Sequence, residues 1–469
     1  MAMVIMVMTK TSSDSLLADS RGFFYLSKQL FIIFSVVYLI TASQFAFAES
    51  IVTPTFEIKE TFVDNNTDTF SETGLITQIS PGVIIISNGA KLDFSMAYAL
   101  DVARSHDLER SDRETHQLDL TSEFRHKPEW TSYASASNRL TNGDIDGVQS
   151  NNPDIIDNNS DQLFTFDIGT TYEERLSRDI QYLAGLQLDY ADQQDSDSSS
   201  GQRVALTIDN YISENILTWG AQGQSRFSKS GGDDERIDAL AVTFKYKIDE
   251  TLNAFVELGT IHTDSSDLDE NRTLVGLSWR PSRQSSITVG AGKLGDNKTY
   301  ELDASITRAH TLFAAKYTER IESLRDQLFD EQNDQFDQST QTSTSIDPVL
   351  RKRGDIAVTQ FGVRSAITFS IFYDETSNPN DRNDERTKGA EIEYDRQLSS
   401  RSSLSLSAST QETEFDEKGT LEDYTVSYRK STSEKANFEV FASYETFDST
   451  DNTREYDQTS VGALYRIAF

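Results

Sequence analysis

The chain has 469 residues, no cysteine, seven prolines and a formal net charge of −33. The lack of cysteine excludes disulfides and thiol chemistry, and such a surplus of carboxylates argues against binding nucleic acid through charge. Beyond residue 48 no apolar run is long enough for a membrane-spanning helix. So few prolines are typical of a chain built from long strands, because proline cannot donate to a strand ladder.

Residues 1–48 have the features of a secretory signal peptide. Basic residues precede an apolar run over 30–40, and a small-residue cleavage site follows at 46–48. The apolar run is too short for a retained membrane helix, and no stop-transfer pattern comes after it. We therefore expect cleavage before Glu49, which leaves a single domain over 49–469.

Apolar and polar residues alternate with a period of two along the rest of the chain. In the segment 92–101, apolar side chains from Leu92 to Leu100 alternate with polar or small ones from Asp93 to Asp101. The same pattern recurs in 164–172, 180–190, 240–248, 367–373 and 438–444. Segments of about ten residues with this pattern cross a bilayer as tilted strands, whereas a soluble sandwich seldom sustains it over such a length. The pattern predicts an all-β protein, a transmembrane antiparallel up-and-down β-barrel.

Two classes of connection alternate between these segments. Short polar turns, as at 281–283 and 399–401, alternate with longer acidic loops, as at 139–161 and 228–235. Outer-membrane barrels have short periplasmic turns and longer extracellular loops, so the alternation assigns the two sides. A chain that starts and finishes in the periplasm has an even number of strands, and we expect about 22, within a range of roughly 18 to 24.

The loop 139–161 contains part of a calcium-binding pattern. Asn142, Asp144 and Asp146 offer oxygen donors at positions one, three and five of an EF-hand-like loop, and a glycine follows at position six. Pro153 occupies position twelve, where an EF-hand requires a bidentate glutamate. The pattern therefore predicts at most a weak Ca²⁺ site, and an acidic surface loop without metal is the alternative. No other cofactor is expected.

The segment 320–352 is a long polar loop of low sequence complexity. Loops of this length without secondary structure of their own are either functional or unstructured. We expect it to be either an external loop or a segment folded into the lumen. In the second case it is the best candidate in this sequence for a plug.

The chain ends on an alternating strand with an aromatic last residue. Val461, Tyr465, Ile467 and Phe469 fall on one face of the segment 461–469. This pattern resembles the C-terminal signature of bacterial outer-membrane barrels, which the barrel-assembly machinery reads. The resemblance implies that Tyr465, Ile467 and Phe469 form an assembly signal. The alternative is an ordinary final strand of a soluble sheet.

The first two predicted strands carry a more specific resemblance. The segment 53–66 ends in Asp64-Asn65-Asn66, and the segment 75–83 contains Ser80-Pro81-Gly82. This opening resembles the PEP-CTERM-system-associated outer-membrane β-barrel family, of the β-barrel porin 2 type. The resemblance implies an outer-membrane location in a Gram-negative bacterium and a link to exopolysaccharide and exosortase systems. It implies no catalytic residue. Proline and glycine within a strand also predict a bulge or kink there.

The lipid-facing stripes determine which charged side chains point into the lumen. The predicted inward acids are Asp93, Asp101, Asp119, Glu123, Asp167, Asp189, Asp209, Glu301, Asp303, Glu391, Glu393 and Glu439. The predicted inward bases are Arg125, Arg203, Lys245, Arg429 and Arg466. An acidic lumen repels anions and favours cations or neutral sugars. For any single residue the alternative is a solvated interior position without a role of its own.

These features favour a channel or export conduit in the outer membrane, linked to secretion of surface polysaccharide. The expected partners are outer-membrane lipid and lipopolysaccharide, the barrel-assembly machinery, and polysaccharide or small cationic or neutral solutes, with no nucleic acid. The alternative is a structural or adhesive surface protein with an occluded lumen. Only five histidines occur, and neither G-x-S-x-G nor H-E-x-x-H is present, so we expect no enzyme.

Overall fold

The computed structural model describes residues 50–469 except 68–70, 107–111, 142–160, 178, 194–197, 211–215, 265–269, 324, 326–345, 378–383, 415–417 and 451–454. The leader 1–48 therefore lies outside the described residues, and its cleavage stays a prediction. Within the part of the chain that is described, no helix is long and apolar enough to cross a membrane.

Long β-strands make up nearly all of the described chain. In chain order they are β1 (Ser50–Thr67), β2 (Ser71–Asn88), β3 (Leu92–His106), β4 (Arg113–Lys127), β5 (Trp130–Thr141), β6 (Asp161–Arg175), β7 (Ile180–Gln193), β8 (Ser199–Asn210), β9 (Leu217–Ser230), β10 (Asp233–Lys247), β11 (Leu252–Thr263), β12 (Glu270–Ser282), β13 (Ser285–Leu294), β14 (Asn297–Arg308), β15 (Thr311–Ser323), β16 (Pro348–Phe361), β17 (Ser365–Ser377), β18 (Asp384–Ser399), β19 (Ser402–Glu414), β20 (Lys418–Ser433), β21 (Ala436–Ser449) and β22 (Tyr456–Ala468).

The strands form one closed antiparallel barrel. Each strand pairs with its neighbours in sequence, and β1 pairs with β22 over a long ladder that sets Ile58 opposite Tyr465. Closure leaves no open sheet edge. A β-structure that spans a membrane needs this, because lipid contains no water to hydrogen-bond the backbone groups of an open edge. The predicted fold class and the expected number of strands, 22, are confirmed.

The two faces of the wall differ as a membrane barrel requires. Leucines and valines at mid-strand are exposed on the outer face, with Leu240 at 55% and Val275 at 56% of full exposure. Polar residues such as Thr61, Thr299 and Ser460 are buried on the inner face. This is the reverse of a soluble protein and follows directly from the period-two alternation, since lipid takes the place of an apolar core.

One end of the barrel, the short-turn end, carries β2–β3, β4–β5 and the equivalent connections, together with the first residue of β1 and the last of β22. Its turns are fixed locally. Asp249, between β10 and β11, accepts hydrogen bonds from the backbone N–H of Thr251 at 2.6 Å and of Leu252 at 2.9 Å. The bonds from Thr251 hold the pKa of this carboxyl below its usual range, so the turn stays capped at neutral pH.

The opposite end, the long-connection end, differs from prediction at several loops. The predicted loop 228–235 is a tight turn, because Gly231 and Gly232 adopt φ of 59° and 107° and both strands continue up to them. A second tight turn at 295–296 was not predicted. The predicted loop 320–352 is shorter, since β15 and β16 pair from Ser323↔Pro348 onward. The strands at this end continue beyond the apolar band, and their last residues are polar but still paired in the ladder. In the sequence, such polar strand ends look the same as loops.

The proline–glycine pair of β2 interrupts one ladder without a bulge. The β2–β3 pairing runs from Ile79↔Val102 to Gly82↔Ala99 in one register and omits Ser80 and Pro81. Of the predicted bulge or kink, the bulge is therefore wrong: proline lacks the N–H for one bond, but no extra residue is inserted, and the kink stays a prediction. A Cβ on Gly82 would lie 2.6 Å from the backbone oxygen of Tyr98, so only glycine allows the strands to approach this closely.

Candidate functional site: the inner wall

All the charged residues that the sequence assigns to the lumen lie on one face of the closed ladder. Asp93 stands opposite Glu123, and Asp167 stands opposite Asp189, so each pair shares a face. The same comparison from strand to strand around the barrel shows which predicted residues share this face. They are the acids Asp93, Asp101, Asp119, Glu123, Asp167, Asp189, Asp209, Glu301, Asp303, Glu391, Glu393 and Glu439 and the bases Arg125, Arg203, Lys245, Arg429 and Arg466. We call this face the inner wall. What these residues do for transport stays a prediction.

Three of the predicted bases form ion pairs near the short-turn end. Arg125 lies 2.6 Å from Asp93 and 2.7 Å from Glu123. Arg429 lies 2.8 Å from Glu439 across the β20–β21 ladder. Arg466 likewise pairs with Glu57 of β1, at 2.5 Å. These guanidinium groups are about half exposed, and exposed pairs of this kind contribute little to stability because water screens them.

Carboxylates concentrate on the inner wall of β18 to β20. Glu391, Glu393 and Asp395 occupy successive inward positions of β18. Ser409 of β19 stands opposite Glu391 on one side and Asp423 of β20 on the other. This part of the wall presents several negative charges at adjacent positions, which is where a local excess of cations is expected.

Arginines concentrate on the opposite part of the wall, and sequence reasoning missed most of them. Arg203 of β8 stands directly opposite Arg226 of β9, whose side chain is almost fully buried. Arg272 of β12 lies 3.1 Å from Glu257 and 2.9 Å from Glu301. The alternation of apolar and polar residues along each strand predicts that Arg226, Arg272 and Glu257 point inward, as it does for Arg203.

A series of cavities follows the inner wall of β8 to β12. The cavity nearest the short-turn end has a volume of about 410 Å³ and is lined by Asp209 and Lys245, both predicted lumen residues. It shares Thr207 and Gln222 with a smaller cavity of about 170 Å³. Gly259, which has no side chain, and Ala241, which has a small one, leave this space open.

The third cavity extends the series toward the long-connection end. It has a volume of about 360 Å³ and shares Gln224, Glu257 and Arg272 with the small middle cavity. On its far side it is lined by β14 and β15, including Glu301 and Arg320. The three cavities therefore form one column along the wall, lined mainly by polar side chains.

The connection after β15 contacts a distant part of the inner wall. Arg325 is fully buried, and its Nε donates to the hydroxyl of Ser199 on β8 at 2.8 Å. Its guanidinium also makes an ion pair with Asp189 on β7. A Cβ on Gly201 would lie 2.5 Å from this guanidinium, so the glycine leaves room for it. This part of the segment 320–352 thus lies inside the barrel, whereas 326–345 is outside the described residues.

The predicted calcium ligands Asn142, Asp144 and Asp146 also lie outside the described residues. Among the residues that are described, no group of three or more histidine, aspartate or glutamate side chains is placed to hold a metal ion.

The predicted assembly residues lie at the barrel seam. Tyr465 stands opposite Ile58, and Ile467 stands opposite Phe56, on the outer face. The backbone N–H of Phe469 donates to the carbonyl oxygen of Pro54 at 3.0 Å, while its ring is exposed. The seam thus ends in an exposed aromatic group at the short-turn end.

Comparison with known proteins supports the fold alone. No protein-family model matches the chain, and no curated protein matches it in sequence. The siderophore receptor PirA from Acinetobacter baumannii is 8% identical, with a TM-score of 0.52 over 90% of this chain and 81% of that one. PirA from Pseudomonas aeruginosa is 12% identical, with a TM-score of 0.45 over 88% and 80%. A loop-deletion mutant of OmpT, an outer membrane protein of Vibrio cholerae, is 9% identical, with a TM-score of 0.35 over 89% and 100%. The chain has the fold of outer-membrane β-barrel proteins.

Proposed function

We propose that the protein is a channel in the outer membrane of a Gram-negative bacterium. The closed barrel presents an apolar outer face to lipid, and its inner wall is polar and charged. A barrel with this many strands has room for an aqueous path unless something fills it. The acidity of the chain disfavours nucleic acid as cargo.

The observation that carries the proposal is the column of cavities along β8 to β12. Its lining includes Gln222, Gln224 and Thr207, whose amide and hydroxyl groups are able to hydrogen-bond water or sugar hydroxyls. Gly259 and Ala241 keep the wall thin, so that space persists between the larger side chains. A polar column that runs along the wall is what a conduit for hydrated solutes requires.

The cargo that we propose is a cation, a neutral sugar or a surface polysaccharide. The carboxylates of β18 to β20 disfavour free anions. The link to polysaccharide export comes from the resemblance of segments 53–66 and 75–83 to the PEP-CTERM-associated barrels. Lipid, lipopolysaccharide and the barrel-assembly machinery are the partners that such a protein needs.

Planar-bilayer recording of the refolded protein tests this function. We expect stepwise conductance with a preference for cations that weakens as salt rises, because salt screens charge over about 8 Å at physiological strength. The buried contact of Arg325 inside the barrel favours the alternative of an occluded structural protein. A correctly folded barrel that never conducts, either intact or after removal of 326–345, would support that alternative.

A further inference from the structure

The cavity nearest the short-turn end, hereafter the short-turn cavity, is lined by one acid and one base that do not contact each other. Asp209 lines it from β8 and Lys245 lines it from β10, and its other lining residues are uncharged. Both of these side chains are exposed. The volume of about 410 Å³ falls within the range of ligand sites, roughly 300–1,000 Å³. The cavity therefore has room for a small solute and presents one charge of each sign to it.

These two charges differ from the other charges of the inner wall in having no partner. No ion pair or side-chain hydrogen bond joins Asp209 or Lys245 to any residue that the structure describes. By contrast, Arg272 on β12 reaches Glu301 on β14, two strands away, at 2.9 Å. Asp209 and Lys245 are also two strands apart, and the short-turn cavity lies where they would meet. A ligand can bind either group without breaking an ion pair of the wall.

Gly220 of β9 determines where the Asp209 carboxylate lies. The two residues stand opposite each other, and a Cβ on Gly220 would collide with a carboxylate oxygen of Asp209. The carboxylate therefore lies over the glycine, and Thr243 of β10 stands opposite Gly220 on its other side. Lys245 is two residues further along β10, toward the short-turn end. One strand spacing of about 4.8 Å and two residues of about 3.3 Å each put the carboxylate about 8 Å from the point where the Lys245 side chain begins.

This spacing suits a ligand that carries both charges close together. In an α-amino acid, ordinary bond lengths place the ammonium nitrogen about 3 Å from a carboxylate oxygen. Charge-assisted hydrogen bonds of about 2.8 Å at each end extend this span to about 8–9 Å. The Lys245 ammonium group can adjust to this span, because it is carried on a flexible four-carbon chain. An amino acid can therefore contact Asp209 and Lys245 at the same time.

We propose that the short-turn cavity binds a free α-amino acid, with its ammonium group at Asp209 and its carboxylate at Lys245. Thr207, Gln222 and Thr243 also line the cavity and offer hydroxyl and amide groups to a polar side chain of the ligand. An amino acid has no net charge, so the acidic inner wall does not repel it as it repels an anion. The inference deepens the proposed function by naming a class of solute, and in that sense it rests on it.

Isothermal titration of the detergent-solubilised, folded barrel tests the inference with three related compounds. L-Glutamine carries both charges, N-acetyl-L-glutamine lacks the ammonium group, and L-glutamine α-amide lacks the carboxylate. We expect L-glutamine to bind at least about tenfold more tightly than either analogue, because each analogue loses one charge-assisted contact. Equal affinities for the three compounds, or no binding of L-glutamine, would overturn the inference.

Variants of the two charged residues locate the site. Asp209→Asn should weaken L-glutamine binding to the level of the N-acetyl analogue, since neither combination can pair the ammonium group with a carboxylate. Lys245→Gln should weaken it to the level of the α-amide for the corresponding reason at the other end. Heat-modifiable mobility on gels shows that each variant is folded. Unchanged L-glutamine binding in both folded variants would overturn the inference.

Each variant has a matched control on the inner wall. Lys247→Gln changes the next inward residue of β10, which does not line the short-turn cavity. Asp119→Asn changes an inner-wall acid of β4, far from β8 to β10 in the ladder. We expect both controls to bind L-glutamine as the unchanged protein does. Loss of binding in a control but not in its matched cavity variant would place the site elsewhere.

The two proposals fail separately. Titration reports binding whether or not the barrel conducts, and bilayer recording reports conductance whether or not the amino acid binds. A conducting barrel that does not bind L-glutamine leaves the channel in place and removes the short-turn cavity as its binding site. A barrel that binds L-glutamine but never conducts removes the channel and keeps the site.

Discussion

Arg325 and Asp189 form an ion pair inside the barrel in which both side chains are essentially inaccessible to solvent, at 0% and 1% exposure. Arg325 follows the end of β15, whereas Asp189 is on β7 and its neighbour in this contact, Ser199, is on β8. The contact therefore connects two parts of the wall that are not adjacent in the ladder. It also shows that the segment after β15 begins inside the barrel.

Breaking this pair should destabilise the barrel strongly. Arg325→Ala leaves the Asp189 carboxylate buried without its cation, a change that typically costs about 3–5 kcal/mol. Asp189→Ala should cost a similar amount, and the double variant should cost much less than the sum of the two. Urea unfolding in lipid vesicles measures these free energies. Arg429→Ala, at an exposed pair, is the control and should cost about 1 kcal/mol or less. Additive effects of the two buried changes would contradict a direct ion pair.

Charge on the outer face should be far more costly than charge on the inner wall. Leu406 lies near the middle of β19 and is exposed on the outer face, so Leu406→Arg should cost about 2–4 kcal/mol in a bilayer. Ser407→Arg is the matched control one residue further along. Its side chain would face Glu393 across the ladder and should be tolerated. The unfolding free energies of the two variants in vesicles test this difference, and equal costs would mean that the two faces are exchanged.

Neutralising carboxylates of β18 should reduce cation selectivity. Glu391 and Glu393 are successive inward residues with serine partners on β19. The double change to glutamine removes two charges from the conducting path, and the reversal potential in a salt gradient should move toward zero. Glu422→Gln, on the outward-facing stripe of β20, is the control. An unchanged reversal potential in the double variant would mean that ions do not pass along this part of the wall.

Removing the last residue should impair insertion. Phe469 donates its backbone N–H to Pro54 and exposes its ring at the seam. Deleting it removes both the bond and the aromatic terminus that resembles the assembly signal. We expect a lower fraction of heat-modifiable barrel in outer-membrane preparations. Phe469→Tyr keeps the ring and serves as the control. Full insertion of the deletion variant would show that this residue has no part in assembly.

Cysteine labelling tests which end of the barrel faces outward. The chain has no native cysteine, so each introduced thiol is unique. Asn152→Cys, in the connection between β5 and β6, should react with an impermeant maleimide in intact cells. Ser282→Cys, at the last residue of β12 and the short-turn end, should react only after the outer membrane is opened. The opposite labelling pattern would reverse the predicted orientation.

The sequence by itself determined the class of fold and the two faces of each strand, and it predicted a strand number of about 22. These follow from one local rule, because every second side chain must meet lipid and the others must not. Phe94 and Ile392 face lipid, whereas their neighbours Asp93 and Glu391 face the lumen. The same rule was sufficient to place Arg226 and Arg272 inward, although sequence reasoning did not list them.

The ends of the strands could not be determined in this way. At 228–235 the chain is polar on both faces, and the described strand ends 320–323 and 348–352 carry several charged residues, since the ladder there extends beyond the apolar band. Backbone hydrogen bonds keep 228–230, 233–235, 320–323 and 348–352 in strands, and the left-handed conformation of Gly231 and Gly232 closes the turn between the first two. Composition does not distinguish such a strand end from a loop.

Only the tertiary structure decided which charges meet. The opposition of Arg203 and Arg226 depends on the register of two strands, and a shift of one residue would separate them. The pair of Arg325 with Asp189 depends on the path of the connection after β15, and the approach of Arg320 to the third cavity of the column depends on the curvature of the wall. These contacts join residues far apart in the chain, and no local pattern encodes distance across a barrel.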